Sequence, residues 1–179
     1  MDAGNLRSVL RQQTGDLHAR LDELVGGFDT LAAYRRYLVG LYRFRHALET
    51  AIPDLADWSV QGVAPLIRQD MTDLGIGSVE MAPGWTIDCS RSSVLGTAYV
   101  LEGSAVGARL LYRRAAQLGL HATHGARHLA AQTGDVERWR RYLHVLEAGS
   151  ANPAAAIAAA RSAFMLALTL FAEPVREPV

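Results

Sequence analysis

The segment from Gly96 to Ala108 constrains the fold most, because a predicted helix there carries three glycines. At 100° per residue, Gly96, Gly103 and Gly107 fall within roughly 40° of one another on one helical face. Each glycine inside a helix costs about 1 kcal/mol relative to alanine. Two interpretations follow: the glycines allow close helix packing or a kink, or they let a flat ligand approach the backbone.

A second feature lies in the first predicted helix, where an apolar stripe recurs at the helical period. The stripe consists of Leu6, Leu10, Leu17, Leu21 and Leu24. His18 lies about 90° from this stripe, and Arg11, Thr14 and Val25 fall with it within an arc of roughly 60°. A lone helical histidine commonly serves only as a core or surface residue. An imidazole that shares its face with a guanidinium, however, suits an apolar metal-bearing ligand with an anionic edge, such as heme.

At these residues the chain resembles the heme oxygenase family in its short bacterial form. The resemblance rests on two motifs, LRQQTGDLHARLD at 10–22 and YVLEGSAVGARLL at 99–111. The segment RSAFMLALTLF at 161–171 looks like the last core helix of the family. The order of the motifs, their spacing and the chain length agree with the family over nearly the whole sequence.

The resemblance implies both a fold and an activity. The fold would be all-α, a single heme oxygenase-like domain over 1–179 with a kinked, glycine-containing distal helix. The reaction would cleave heme to biliverdin, CO and Fe²⁺ with O₂ and external electrons, so that heme b is substrate and cofactor at once. A ferredoxin with its reductase, or a similar donor, would supply the electrons, and a phytochrome is a candidate user of the biliverdin.

The resemblance also assigns roles to individual residues. His18 would be the proximal ligand of the heme iron, and the face with Gly103 and Gly107 would cover the other side of the ring. Ser104 stands where some members carry an aspartate that organises distal water, so Ser104 is a candidate anchor for that water. The remaining heme-binding candidates are Arg11, Thr14, Tyr99, Arg140 and Phe164.

Several of these candidates have a purely structural alternative. Arg138 and Arg141 are close rivals of Arg140 for a heme propionate, and any of the three could lie on a solvated surface. Phe164 could be an ordinary core residue. Tyr99 could pack without touching a propionate.

Other classes of function stay open as well. The chain could be a heme sensor or carrier without turnover, or a non-heme enzyme of thiaminase or oxidase type in which Cys89 or carboxylates matter. The Glu-x-x-His pairs of a di-iron bundle are missing around the acidic residues Glu49, Asp54 and Asp57. Three histidines follow one another at spacings of three and four, namely His121, His124 and His128, but no nearby cysteine or carboxylate completes a metal set.

Charge and composition narrow the partners. The chain has 18 basic and 18 acidic residues. This balance predicts no electrostatic attraction to nucleic acids or to membrane surfaces. The single cysteine, Cys89, and the lack of an apolar signal segment favour a reducing, cytoplasmic location. Arg161 interrupts the apolar run at 154–172, so a buried core helix is expected there rather than a membrane span. A monomer is the default expectation.

Turn and cap residues predict the helix boundaries. The expected helices cover about 5–25, Asp29 or Thr30 to Thr50, 62–75, Ser90 to Leu118 with a kink or break at Gly103–Ser104, Asp135 to Gly149, and a last helix after Asn152–Pro153. Residues 76–89 are expected to be irregular.

Overall fold

The computed structural model describes residues 5–82 and 84–173. In this part of the chain seven α-helices form, and the only β-pairing consists of isolated bridges. The helices are α1 (Leu6–Val25), α2 (Leu31–Ala51), α3 (Ala64–Asp73), α4 (Arg91–Gln117), α5 (Arg127–Gly134), α6 (Arg138–Ala148) and α7 (Pro153–Ala172). The all-α prediction is therefore confirmed.

Local capping explains most helix starts. The side chains of Thr30, Ser90 and Asn152 each accept a hydrogen bond from a first-turn backbone N–H, as their sequence positions predicted. Gly75 and Gly119 adopt positive φ angles just after α3 and α4, which explains why glycine ends these helices.

Three features of the helices differ from the expectation. The helix assignment of α4 continues through Gly103 and Ser104 without a break. The short helix α5 was not predicted, and α6 begins at Arg138 rather than at Asp135. The start of α5 depends on a distant carboxylate, since Asp70 accepts the backbone N–H groups of Arg127 and His128. That signal is tertiary and therefore invisible in the local sequence.

Helix α7 lies at the centre of the fold. Both α1 and α4 pack along it, far more than they pack against each other, and α2 covers a further side. By length and composition α7 could cross a membrane; in the structure its small buried residues, such as Ala160 and Ala163, form the core with α1 and α4. A second apolar cluster joins α2, α3 and α5, and Phe171 touches both clusters. Since α1 and α4 both pack on α7 but scarcely touch each other, the region of α7 that they flank is called here the α1–α4 cleft.

Candidate functional site

His18 lies on the α1 side of this cleft. Its side chain is 62% exposed, and its Nδ1 lies 2.9 Å from Oδ2 of Asp22, one helical turn later. Among the described residues, nothing hydrogen-bonds to Nε2 of this ring. The carboxylate of Asp22 thus lies close to one ring nitrogen while the other stays accessible. The sequence reasoning missed Asp22, although an acid four residues after a helical histidine is a recognisable signal.

Phe164 of α7 lies next to His18. The two rings meet edge-on with their centroids 5.9 Å apart, and Phe164 is otherwise buried in the core. The structure thus brings together a predicted ligand and a predicted pocket residue that are far apart in sequence. Both alternatives for Phe164 are compatible with this position, because one side of the ring packs in the core.

The three glycines of α4 turn out to serve different purposes. A Cβ on Gly96 would lie 2.1 Å from the carbonyl oxygen of Ala156 in α7, so this glycine permits helix packing. A Cβ on Gly103 would meet only the ring of Trp139, at an ordinary 3.8 Å, and one on Gly107 would meet nothing within 4 Å. Helix packing therefore explains Gly96 and does not explain the other two.

The α4 surface around Gly103 and Gly107 is apolar and accessible. Val106 is 63% exposed and Leu110 is 54% exposed, although both are large hydrophobic residues. The spacing of 103, 107 and 110 places these positions on one helical face. Exposed apolar side chains beside two unencumbered glycines form a surface suited to a flat apolar ligand.

Two basic residues of α1 act on Tyr99 of α4. Burial raises the pKa of the Tyr99 phenol, and the charges of Arg7 and Arg11 oppose this shift, so both guanidinium groups lie near Tyr99. Trp139 of α6 packs against Tyr99 with ring centroids 5.7 Å apart. Arg7 and Trp139 were not predicted; Arg7 stands one turn before Arg11 on the same face, which was an available signal.

The three arginines of α6 have different acidic partners and different exposure. Arg138 binds the buried carboxylate of Glu102 through two of its nitrogens. Arg141 pairs with Asp135 on the surface. Arg140 is 71% exposed and, among the described residues, pairs with Glu137 one turn earlier and no other acid, so it is the rival most free to meet a ligand.

The hydroxyls of Thr14 and Ser104 both bond to their own helices. Thr14 is buried and donates to the carbonyl of Leu10 at 2.8 Å. Ser104 is exposed, donates to the carbonyl of Leu101 at 2.7 Å and accepts from Gln132 at 3.1 Å. The position of Thr14 gives its assignment as a heme-binding residue no support, whereas Ser104 lies beside the glycine surface as expected.

The remaining reactive residues lie elsewhere. His128 is buried against Asp70, and the turn at 121–125 holds His121 and His124. Within 5–82 and 84–173 no three histidine, cysteine or acidic side chains converge on a metal position. Cys89 is an exposed free thiol in the 76–89 loop.

Two pockets, of about 260 and 250 Å³, lie outside the α1–α4 cleft. The first is lined by residues of α1, α2 and α7 such as Val25 and Phe171, and the second lies between α2 and Trp85. Neither contains the exposed imidazole of His18 or the glycine surface. Neither cavity is therefore lined by a predicted site residue.

Known proteins provide an independent test. No family model matches the chain. Heme oxygenase PigA of Pseudomonas aeruginosa is 33% identical over 158 residues, which cover 80% of this chain and 78% of that protein. The NO- and CO-bound heme oxygenase from Neisseria meningitidis superposes with a TM-score of 0.74 and 26% sequence identity, over 94% of this chain and 91% of that one. On the identity and coverage of the sequence relative, with the structural neighbour in agreement, the chain belongs to the heme oxygenase family.

Proposed function

We propose that this chain, which as a heme oxygenase degrades heme, opens the ring to biliverdin and releases CO and Fe²⁺. O₂ supplies the oxygen atoms of the products, and an external donor supplies the electrons. The proposal is supported by an exposed imidazole on α1, next to an aromatic ring of α7, and by two glycines of α4 that helix packing does not explain.

His18 is the proximal ligand in this proposal. A neutral imidazole binds heme iron through one ring nitrogen, and a carboxylate on the other nitrogen fixes its orientation. Asp22 supplies that carboxylate at 2.9 Å. Phe164 packs edge-on against the imidazole and limits its rotation.

Gly103 and Gly107 form the distal surface. Without side chains at these positions, the backbone of α4 can lie against the ring, where a Cβ or a longer group would push the ring away. Val106 and Leu110 add apolar surface that excludes water from the ring edge. Ser104 offers a hydroxyl at the rim, which can anchor ordered water near the reacting oxygen. The close backbone then restricts attack to particular meso carbons.

Arg11 and Tyr99 hold the heme propionates, together with Arg7. Guanidinium groups bind carboxylates in bidentate geometry, and a phenol adds a hydrogen-bond donor. We also assign Arg140 to a heme propionate. It stands seven residues before Glu147, so the two side chains lie on the same face of α6. Glu147 accepts the backbone N–H of Arg7 at 3.0 Å, so this face of α6 is directed toward α1.

The partners follow from the reaction. We infer a ferredoxin with its reductase as electron donor, a monomeric cytoplasmic enzyme, and biliverdin delivery to a phytochrome as one use of the product. The sole cysteine is a free, exposed thiol, which suits a reducing compartment.

Reconstitution with hemin tests the proposal. The purified chain is mixed with hemin, reduced with ascorbate or with ferredoxin and its reductase, and followed by absorbance. Loss of the Soret band with growth of a biliverdin band in the red is expected. A shifted, protein-bound Soret band that persists under reduction and O₂ would instead identify a heme carrier, and a spectrum that stays that of free hemin would exclude both.

A further inference from the structure

A buried ion pair holds the distal helix directly beside the glycine surface. Glu102 precedes Gly103 and is only 3% exposed. Its two carboxylate oxygens accept hydrogen bonds from Nε and Nη2 of Arg138, each at 2.7 Å. The indole of Trp58 and the backbone N–H of Gln61 donate to the same carboxylate at 3.3 and 3.2 Å. Every contact ties α4 to a segment outside it.

A second buried cation holds the preceding residue. Arg45 of α2 donates to the carbonyl of Leu101 at 3.0 Å and pairs with Glu49 at 2.6 Å. Arg45 also donates to the carbonyl of Gln61, whose N–H reaches Glu102. The backbone of Gln61 therefore joins the two ion pairs into one hydrogen-bond network that contacts α4 at residues 101 and 102.

The same network positions an aromatic ring on the glycine surface. Arg138 lies over the ring of Trp58, 4.7 Å from its centroid, and is followed in sequence by Trp139. The Trp139 ring lies 3.8 Å from where a Gly103 Cβ would stand. Fixing Arg138 thus also fixes the indole that borders Gly103.

We propose that Glu102 and Arg138 are a positioning pair that sets how closely the α4 backbone at Gly103 approaches the heme. This inference rests on the proposed distal role of Gly103. Buried ion pairs are in general poor sources of net stability, because desolvation offsets their attraction, whereas they do fix one arrangement of the elements they join. The location of this pair, one residue before the glycine, gives that arrangement a functional use.

Hydrogen exchange of the ligand-free protein provides a test that does not depend on heme. In Arg138→Gln, amide exchange at residues 102–107 should become about tenfold faster than in the parent, beyond any change in the α7 core amides. Arg138→Lys keeps the charge but loses the bidentate geometry, so its exchange rate at residues 102–107 should lie between those of the parent and of Arg138→Gln. Arg141→Gln is the matched control, since it removes an exposed pair from the same turn of α6.

The hemin complexes provide the second readout. Arg138→Gln and Glu102→Gln should shift the ratio of biliverdin isomers, while Arg141→Gln keeps the parental ratio. Exchange at 102–107 that changes only in step with α7 would overturn the inference, as would a parental isomer ratio in the loosened variants. Failure of the parent chain to form biliverdin would instead refute the proposed function, so the two failures are distinguishable.

Discussion

A small number of side chains carry the proposed chemistry. The spacing of His18, Arg11 and Gly103 was visible in the sequence, because helical geometry alone places such residues on defined faces. Their neighbours could be predicted only in part. Asp22 and Arg7 lie on the same helix as His18 and Arg11 and at helical spacing from them, whereas Trp139 reaches Gly103 from another helix through tertiary packing.

His18→Ala should abolish the histidine-ligated spectrum of the heme complex without unfolding the chain. The side chain is largely exposed, so its removal leaves no buried cavity. Absorbance of the hemin complex and far-UV circular dichroism check the two halves of this prediction. His46→Ala, an exposed histidine on α2, is the control. An unaltered ferric spectrum in His18→Ala would show that another residue binds the iron.

Arg11→Glu should weaken hemin binding and change the ratio of biliverdin isomers, because it places a negative charge where a propionate is proposed to lie. Arg140→Glu should act in the same direction, and the double variant more strongly. Hemin titration and chromatography of the products measure both effects. Parental affinity together with a parental isomer ratio would assign these arginines to the solvated surface.

At the scale of whole helices, local sequence predicted most of the fold. The N-caps at Thr30, Ser90 and Asn152 were correct because a side chain and its own first turn decide them. Helix α5 was missed because its first N–H groups are satisfied by Asp70, far away in the sequence. Helix α4 was expected to kink or break at Gly103–Ser104, and its helical assignment shows no break there.

The glycines of α4 should respond in opposite directions to the same substitution. Gly96→Ala forces a Cβ against the backbone of α7 and should lower stability by about 1–3 kcal/mol or more. Gly107→Ala meets no neighbour and should raise the stability of the ligand-free chain by up to about 1 kcal/mol. Thermal melts of both variants, without heme, measure the difference. Equal destabilisation by the two changes would mean that Gly107 also serves packing within the protein.

The stability of the whole molecule should depend on pH through a buried pair in the second apolar cluster. Burial lowers the pKa of His128 below 6.5 despite the neighbouring Asp70. Burial alone would raise the pKa of Asp70, but hydrogen bonds from the His128 ring and from two backbone N–H groups outweigh it and hold this pKa below 3.8. Neutral His128 thus donates its Nδ1–H to the carboxylate at 2.7 Å.

Both folded-state pKa values lie below those of the unfolded chain, so the unfolded chain binds more protons as the pH falls. Stability should therefore decrease below about pH 6.5 through His128 and again below about pH 4 through Asp70. His128→Asn keeps a donor for Asp70 but cannot take up the proton. Denaturant unfolding at pH 7.5 and 5.5 should show a smaller pH dependence in this variant than in the parent. An equal dependence in both would exclude His128 as its source.

Heme is proposed to lie between His18 and the α4 surface around Gly107, where a Cβ would meet no neighbour within 4 Å. A leucine at position 107 should therefore collide with the bound heme. The Gly107→Leu variant and the parent are loaded with hemin, and biliverdin formed per bound heme is measured alongside the melting temperature. Gly134→Leu is the control, since this exposed helical glycine of α5 also has no neighbour within 4 Å. Gly107→Leu should keep its fold and its histidine-ligated spectrum while biliverdin yield falls by about tenfold or more, a change of about 1.4 kcal/mol in the barrier. Parental yield per heme in a folded Gly107→Leu protein would contradict this placement of the heme.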